Sequence, residues 1–237
     1  MNSKQTHDED HSLSNKSKLN SLRAAVLGSN DGIVSVAGIV AGVAGASSSQ
    51  QMILTAGIAG LVAGALSMAV GEYISVSSTR DTEKALLHKE KKELEENPEG
   101  EMHELAMFYE YKKGLKPKTA LIVAKELMEH DSLRAHAEME FGIDPDDLTN
   151  PTHAAVSSAV SFVAGAIIPL LPVIFVPQSY MLYSIFGAVL IALVITGILS
   201  AKAGGANKFK ATARVVFGGL LAMIITYFVG RIVGFKI

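Results

Sequence analysis

Five stretches of the chain, roughly 23–46, 51–78, 153–176, 180–203 and 212–235, are long and apolar enough to cross a hydrocarbon core of about 30 Å. Lipid offers no partner to backbone N–H and C=O groups, so each stretch must satisfy its own as a helix. The fold class that follows is all-α: an integral membrane protein with five transmembrane helices and an inserted helical domain. The insert is needed because most of the charge falls in one place, residues 80–150. A net charge of −2 gives no sign of a nucleic-acid partner. With no cysteine, disulfides, thiolate metal sites and thiol catalysis are excluded.

The loops set the orientation. Lys16, Lys18 and Arg23 precede the first span, and Lys202–Arg214 carries four basic residues, whereas Ser47–Gln51 and Val176–Ser179 are uncharged. The positive-inside rule places the N-terminus, the insert and the 202–214 loop in the cytoplasm and the C-terminus outside, with Arg231 and Lys236 on the wrong side. Residues 1–20 lack the apolar core of a signal peptide and read as a disordered cytoplasmic tail. Its His7, Asp8, Glu9, Asp10 and His11 fit a solvated tail better than a metal site. The expected domains are therefore 1–20 (tail), 21–80 (transmembrane helices 1 and 2), 81–150 (cytoplasmic metal-binding helices) and 151–237 (transmembrane helices 3 to 5). The compact form points to a prokaryotic cell membrane.

Asp31 is the only ionisable side chain between Arg23 and Ala46. A carboxylate at the centre of a membrane helix costs about 2.5–3.5 kcal/mol on insertion scales, so it is retained for an ion or proton, or else it caps a helix near the interface. In the second span Met68 and Glu72 are four residues apart and share a helix face, with Ser75 following. An acid, a thioether and a hydroxyl on one face suit a cation path; the alternative is a packing methionine and an interfacial glutamate. Gly28 and Gly32, Gly38 and Gly42, and Gly60 and Gly64 predict close packing or dimerisation of the first two spans. Pro169 and Pro172 predict a kink or break in the third.

Helical phase singles out acids in the insert. Glu90 and Glu93 share the face of Leu86, Leu87 and Leu94, while Lys91, Lys92 and Glu95 point away. After Asn97-Pro98, Glu101 is centred on the face of Leu105, Phe108 and Tyr109, with Glu104 at its edge. A third helix is expected from beyond Gly114 and Pro117 to near Gly142, with Glu129, His136 and Glu140 beside Ile122 and near Leu121, Met128 and Met139. Carboxylates turned inward need compensation, from lysines and arginines of adjacent helices or from a divalent cation. Oxygen ligands with an imidazole or thioether suit Fe²⁺, Mn²⁺, Co²⁺ or Zn²⁺.

From Arg23 to its end the chain resembles the vacuolar iron transporter family. The resemblance is carried by GSNDGIVSVAGIVAGVAGA (28–46), by GALSMAVGEYISVSSTRD (64–81) and by the paired Glu-x-x-Glu motif of Glu90, Glu93, Glu101 and Glu104. It implies a second helix that continues into a three-helix metal-binding domain, and a homodimer whose path between subunits is lined by the first two spans. It also implies export of Fe²⁺ and similar ions from the cytosol in exchange for protons. By position, Asp31 and Met68 become membrane metal ligands, and Glu90, Glu93, Glu101, Glu104 and Glu140 the cytoplasmic carboxylates. One departure matters: where the plant pattern has two adjacent methionines before the last glutamate, this chain has His136 and Ala137. That makes the site more imidazole-like and leaves its metal preference open.

The expected function is therefore a secondary active transporter rather than an enzyme. It has no permanent cofactor, takes a divalent transition metal as substrate, and has Asp31, Met68 and Glu72 along its path. Its alternatives are a non-transporting metal sensor and a di-iron carboxylate oxidase. The oxidase uses two Glu-x-x-His motifs and two further glutamates on four helices, which Glu101-Met-His-Glu does not match.

Overall fold

The computed structural model describes residues 10–47 and 49–234, with side chains from Ala25 onward. Among these residues there are seven α-helices, one π-turn and no strand. The helices are α1 (Asp10–Ala46), α2 (Gln50–Glu96), α3 (Pro98–Lys113), α4 (Pro117–His136), α5 (Pro151–Phe175), α6 (Gln178–Gly204) and α7 (Lys208–Gly234), with the π-turn at Ala137–Phe141. The expected disordered tail lies partly outside the described residues; from Asp10 the backbone is helical and continuous with the first span.

The chain divides into two units, Met1–Glu72 with Ala154–Ile237, and Tyr73–His153. Helix α2 contributes to both. Its 47 residues would reach about 70 Å at 1.5 Å each, more than twice a hydrocarbon core. From Gln50 to Gly71 it has no Asp, Glu, Lys or Arg, and beyond Thr79 it is densely charged, so only its first half is suited to lipid.

In the first unit, five helices are long and apolar enough to cross a membrane. Helix α1 is their hub: half of its apolar window is buried, against 11% for α2 and for α7. Its Ile33, Val36, Ala37, Val40 and Ala41 join Phe162, Ala166 and Val173 of α5, Ile185 and Leu193 of α6, and Met223 of α7 in one core. Outward-facing Ile58, Val62 and Leu66 of α2, and Phe217, Ile225 and Phe228 of α7, are surface that only lipid or another apolar partner covers without cost.

The glycines of α1 serve neighbours other than α2. A Cβ on Gly32 would strike the Phe162 carbonyl and the Ala166 nitrogen of α5, and one on Gly230 of α7 would strike the Gly42 carbonyl. Gly28 also faces α5, and Gly38 and Gly42 face Thr226 of α7, whereas Gly60 meets Ile39 of α1 and Gly64 meets Phe162 of α5. Small residues thus let α1 approach three helices, where the spacing predicts packing or dimerisation of the first two spans. Helix α5 runs unbroken through Pro169 and Pro172, held by buried Ala166, Leu170 and Val173 around them.

The second unit packs α3 and α4 around Leu105, Ala106, Ala120 and Ala124, with Met102, Tyr109, Leu115, Met128 and Met139 against them. Local signals set its boundaries. Asn97 caps α3 by accepting from the Gly100 N–H at 3.1 Å, Pro98 occupies its first turn, and Gly114 ends it at φ 69°. The core is small, and polar ties add to it: Glu83 accepts from the Thr149 N–H (3.2 Å) and hydroxyl (3.0 Å), and Arg134 pairs with Asp144 (2.9 Å) and Asp146.

The third helix departs from its expected phase. Asp131 has φ −159° and ψ 95°, so α4 bends there, and the Asp131 carboxylate caps the following turn by accepting from the Arg134 N–H at 3.0 Å. The π-turn at 137–141 then adds a second change of register. A single wheel drawn across 117–142 therefore fails on the near side: Ile122 and Glu129 lie in solvent, while His136 is buried.

Candidate metal centre

Four side chains from four elements converge in the second unit: Glu90 of α2, Glu101 of α3, His136 at the end of α4 and Glu140 in the π-turn. Each offers one ligand atom, and these atoms lie within 4.8 Å of one another. His136 is fully buried and Glu90 is 2% exposed; Glu101 and Glu140 are nearly as enclosed.

All three carboxylates face one imidazole nitrogen. His136 Nδ1 lies 2.8 Å from Glu140 Oε1, 2.9 Å from Glu90 Oε1 and 3.8 Å from Glu101 Oε2. One nitrogen can donate at most one N–H, and Glu90 Oε1 is buried without a hydrogen-bond partner, as is His136 Nε2. Burial raises Glu90 to about 7, and the Glu140 charge adds to the shift, with His136 opposing it. Burial also raises Glu101, followed by repulsion from Glu104. The protein alone leaves this cluster short of positive charge. A divalent ion bound at about 2.0–2.3 Å would place opposite ligands about 4–4.6 Å apart, which the spread of these atoms accommodates.

Glu93 and Glu104, the remaining members of the paired motif, lie outside this group. Glu93 is 39% exposed and forms an i,i+4 pair with Lys89 at 2.9 Å. Glu104 is exposed on α3, in a groove of about 490 Å³ with His103, Met107 and Lys112. In each Glu-x-x-Glu, the three-residue step turns the second acid away from the point where the first one aims.

The first unit has a separate cleft of about 490 Å³ lined by Leu27, Asn30, Asp31 and Val34 of α1, Met68 of α2 and Arg214, Val215, Gly218 and Gly219 of α7. Asp31 is exposed to this cleft and its carboxylate accepts from the Ser35 hydroxyl at 3.2 Å. Asn30 Oδ1 is buried without a partner. Asp31 and Met68, 37 positions apart, thus share one cavity, while Glu72 is exposed and does not line it. Asn30 and Arg214 also line this cleft, and the sequence singles out neither: Asn30 lies inside the 28–46 motif and Arg214 reads as loop charge.

The VIT family model matches residues 22–231. The chain is 48% identical over 210 residues to a vacuolar iron transporter of Acanthamoeba castellanii, covering 88% of this chain and 77% of that protein. It is 36% identical over 214 residues to vacuolar iron transporter homolog 2 of Arabidopsis thaliana (90% and 84%), and 35% to homolog 1 of Oryza sativa subsp. japonica (90% and 74%). The chain belongs to the vacuolar iron transporter family. As a member of that family it is a multi-helix membrane protein of a transporter lineage. In this vacuolar iron transporter relative, the imidazole of His136 stands among the carboxylates, and Met128 and Met139 pack against the apolar core beside them.

Proposed function

We propose that this chain exports Fe²⁺ from the cytosol in exchange for protons, with Mn²⁺, Co²⁺ and Zn²⁺ as competing substrates. The observation that carries the reading is the enclosure of Glu90, Glu101 and Glu140 around His136 with a buried, unpartnered carboxylate oxygen. A metal-poor protein gains nothing from such an arrangement, whereas a captured divalent ion neutralises it. The iron-transporter names of the relatives support the substrate class, and the distribution of lysine and arginine among the loops supports a cytoplasmic N-terminus and insert.

Transport then needs a second, weaker station within the membrane unit. Asp31 offers the charge and Met68 a soft sulfur, and both line one cleft. Once the cation leaves, an inward-moving proton replaces its charge on the path, which couples outward metal to inward proton movement. Asp31 is exposed in the single chain, so a second copy covering the cleft would close the path; this supports a homodimer. Glu72 serves at the mouth of that path.

The test is flux of Fe²⁺, Mn²⁺, Co²⁺ and Zn²⁺ into proteoliposomes of the full chain under an imposed pH gradient. The expected result is gradient-driven uptake that Asp31→Asn abolishes. A protein that binds the same metals and moves none is a sensor, and oxygen consumption on adding Fe²⁺ would mark an oxidase.

A further inference from the structure

Arg214 lines the same cleft as Asp31, Asn30 and Met68, and the transport reading gives it no task. Helix α7 begins at Lys208, so Arg214 stands about 9 Å along it, past the first turn. The bland account is an arginine that extends its charge to the interface while its stem covers apolar surface. Three observations favour a role inside the cleft. Gly218, on the next turn of α7, also lines the cavity and has open space where a Cβ would sit, so a long side chain has room to swing past it. Asn30 Oδ1 is buried with no donor, and the Asp31 carboxylate has only the Ser35 hydroxyl. Arg214 and Asp31 are the two charged residues among those that line the cleft, so the guanidinium stands in the same cavity as the one carboxylate there.

We propose that Arg214 is a tethered competing charge for the membrane station: its guanidinium shares the cleft with the Asp31 carboxylate and the Asn30 amide oxygen, and its positive charge opposes an arriving metal ion. A fixed positive charge that cannot lose its proton competes with the metal at every occupancy, weakening binding and speeding release. Arg214 is thus a positioning residue that sets the affinity of the cleft without ligating the metal. Its effect on turnover rests on the transport reading; the competition itself does not.

Two measurements separate these. In proteoliposomes of the full chain with Mn²⁺ as the probe, Arg214→Gln lowers KM by about tenfold, the scale expected for removing a like charge from a partly desolvated site, and lowers kcat with it. Arg214→Lys, which keeps the charge, returns both toward the parent values. Arg214→Met, which keeps the apolar stem, repeats the measurement should Arg214→Gln not assemble. In detergent, equilibrium Mn²⁺ binding is measured in a Glu90→Gln/Glu101→Gln/Glu140→Gln background, which leaves the membrane station as the site read. There Arg214→Gln tightens Kd by a similar factor, and adding Asp31→Asn removes that gain. An unchanged or weakened Kd in the folded variants overturns the competition even if flux is normal. A tightened Kd in a protein that carries no flux supports the competition while removing transport.

Discussion

The two candidate metal stations differ in how they are paid in charge. The insert gathers three carboxylates and one imidazole from four elements and closes over them, with Glu90 and His136 buried. The membrane cleft holds one carboxylate, one amide, one thioether and a guanidinium, and stays open. On the transport proposal the first station captures, since its uncompensated acids gain most when a cation arrives. The second lets go, since one carboxylate beside a resident positive charge holds a divalent ion weakly. Conduction needs both properties, binding strong enough to enter and weak enough to leave. On that proposal one chain divides those demands between a polar insert and an apolar helix set.

The largest expected effect lies in the cleft. Asp31→Asn abolishes metal flux in proteoliposomes, yet leaves metal binding by the insert cluster within about threefold, because that cluster does not include Asp31. If flux persisted, the membrane station would not be the point every ion must pass.

The insert responds in affinity before flux. His136→Ala, or Glu90→Gln, weakens Mn²⁺ binding to the full chain by at least about tenfold, the scale seen even for outer partners of metal ligands. Transport slows without ceasing, because ions can still reach the membrane unit from solution. Complete loss of flux would merge the two stations into one.

The raised pKa of Glu90 gives a stability test with a definite sign. A carboxylate whose folded value lies above its unfolded value binds protons more readily when folded, so the Glu90 contribution to the metal-free insert is fully present below pH 4.5. Stability contributed by protonated Glu90 is lost as pH rises from 4.5 through about 7. The loss is on the order of a few kcal/mol. Melting of the metal-free protein should therefore move to lower temperature over that window, and Glu90→Gln should flatten the dependence. Saturating Mn²⁺ should reverse it, since ligands must shed protons to bind. A metal-free Tm independent of pH across this range would mean that Glu90 is not strained.

The smallest effects belong to Glu93 and Glu104. Each is partly or fully exposed, so Glu93→Gln or Glu104→Gln changes metal affinity by no more than about threefold, the worth of a solvated surface charge. A larger loss from either would show that the cluster rearranges to recruit it when metal binds.

Much of this contrast is readable from the residues alone. The apolar stretches show five spans because lipid admits no other backbone solution, and Asp31 stands out because no other charge shares its stretch. Phase places Glu90 and Glu101 inward because α2 and α3 are regular near them. It does not separate Glu90 from Glu93, since three residues turn a helix by less than a full circle and the choice falls to packing. Nor does it foresee that Asp131 breaks α4 or that 137–141 winds as a π-turn, both of which reset the angles that bring His136 and Glu140 together. The glycine pairs mark close contact but not the partner, and Arg214 looks like loop charge until α7 carries it to the cleft.

The most direct measurement is anomalous diffraction from crystals of the full chain soaked in Mn²⁺. The account predicts a peak enclosed by Glu90, Glu101, His136 and Glu140, with ligand distances near 2.1–2.3 Å. Ordered, metal-saturated crystals with no peak there, and with the three carboxylates turned to solvent, would contradict it.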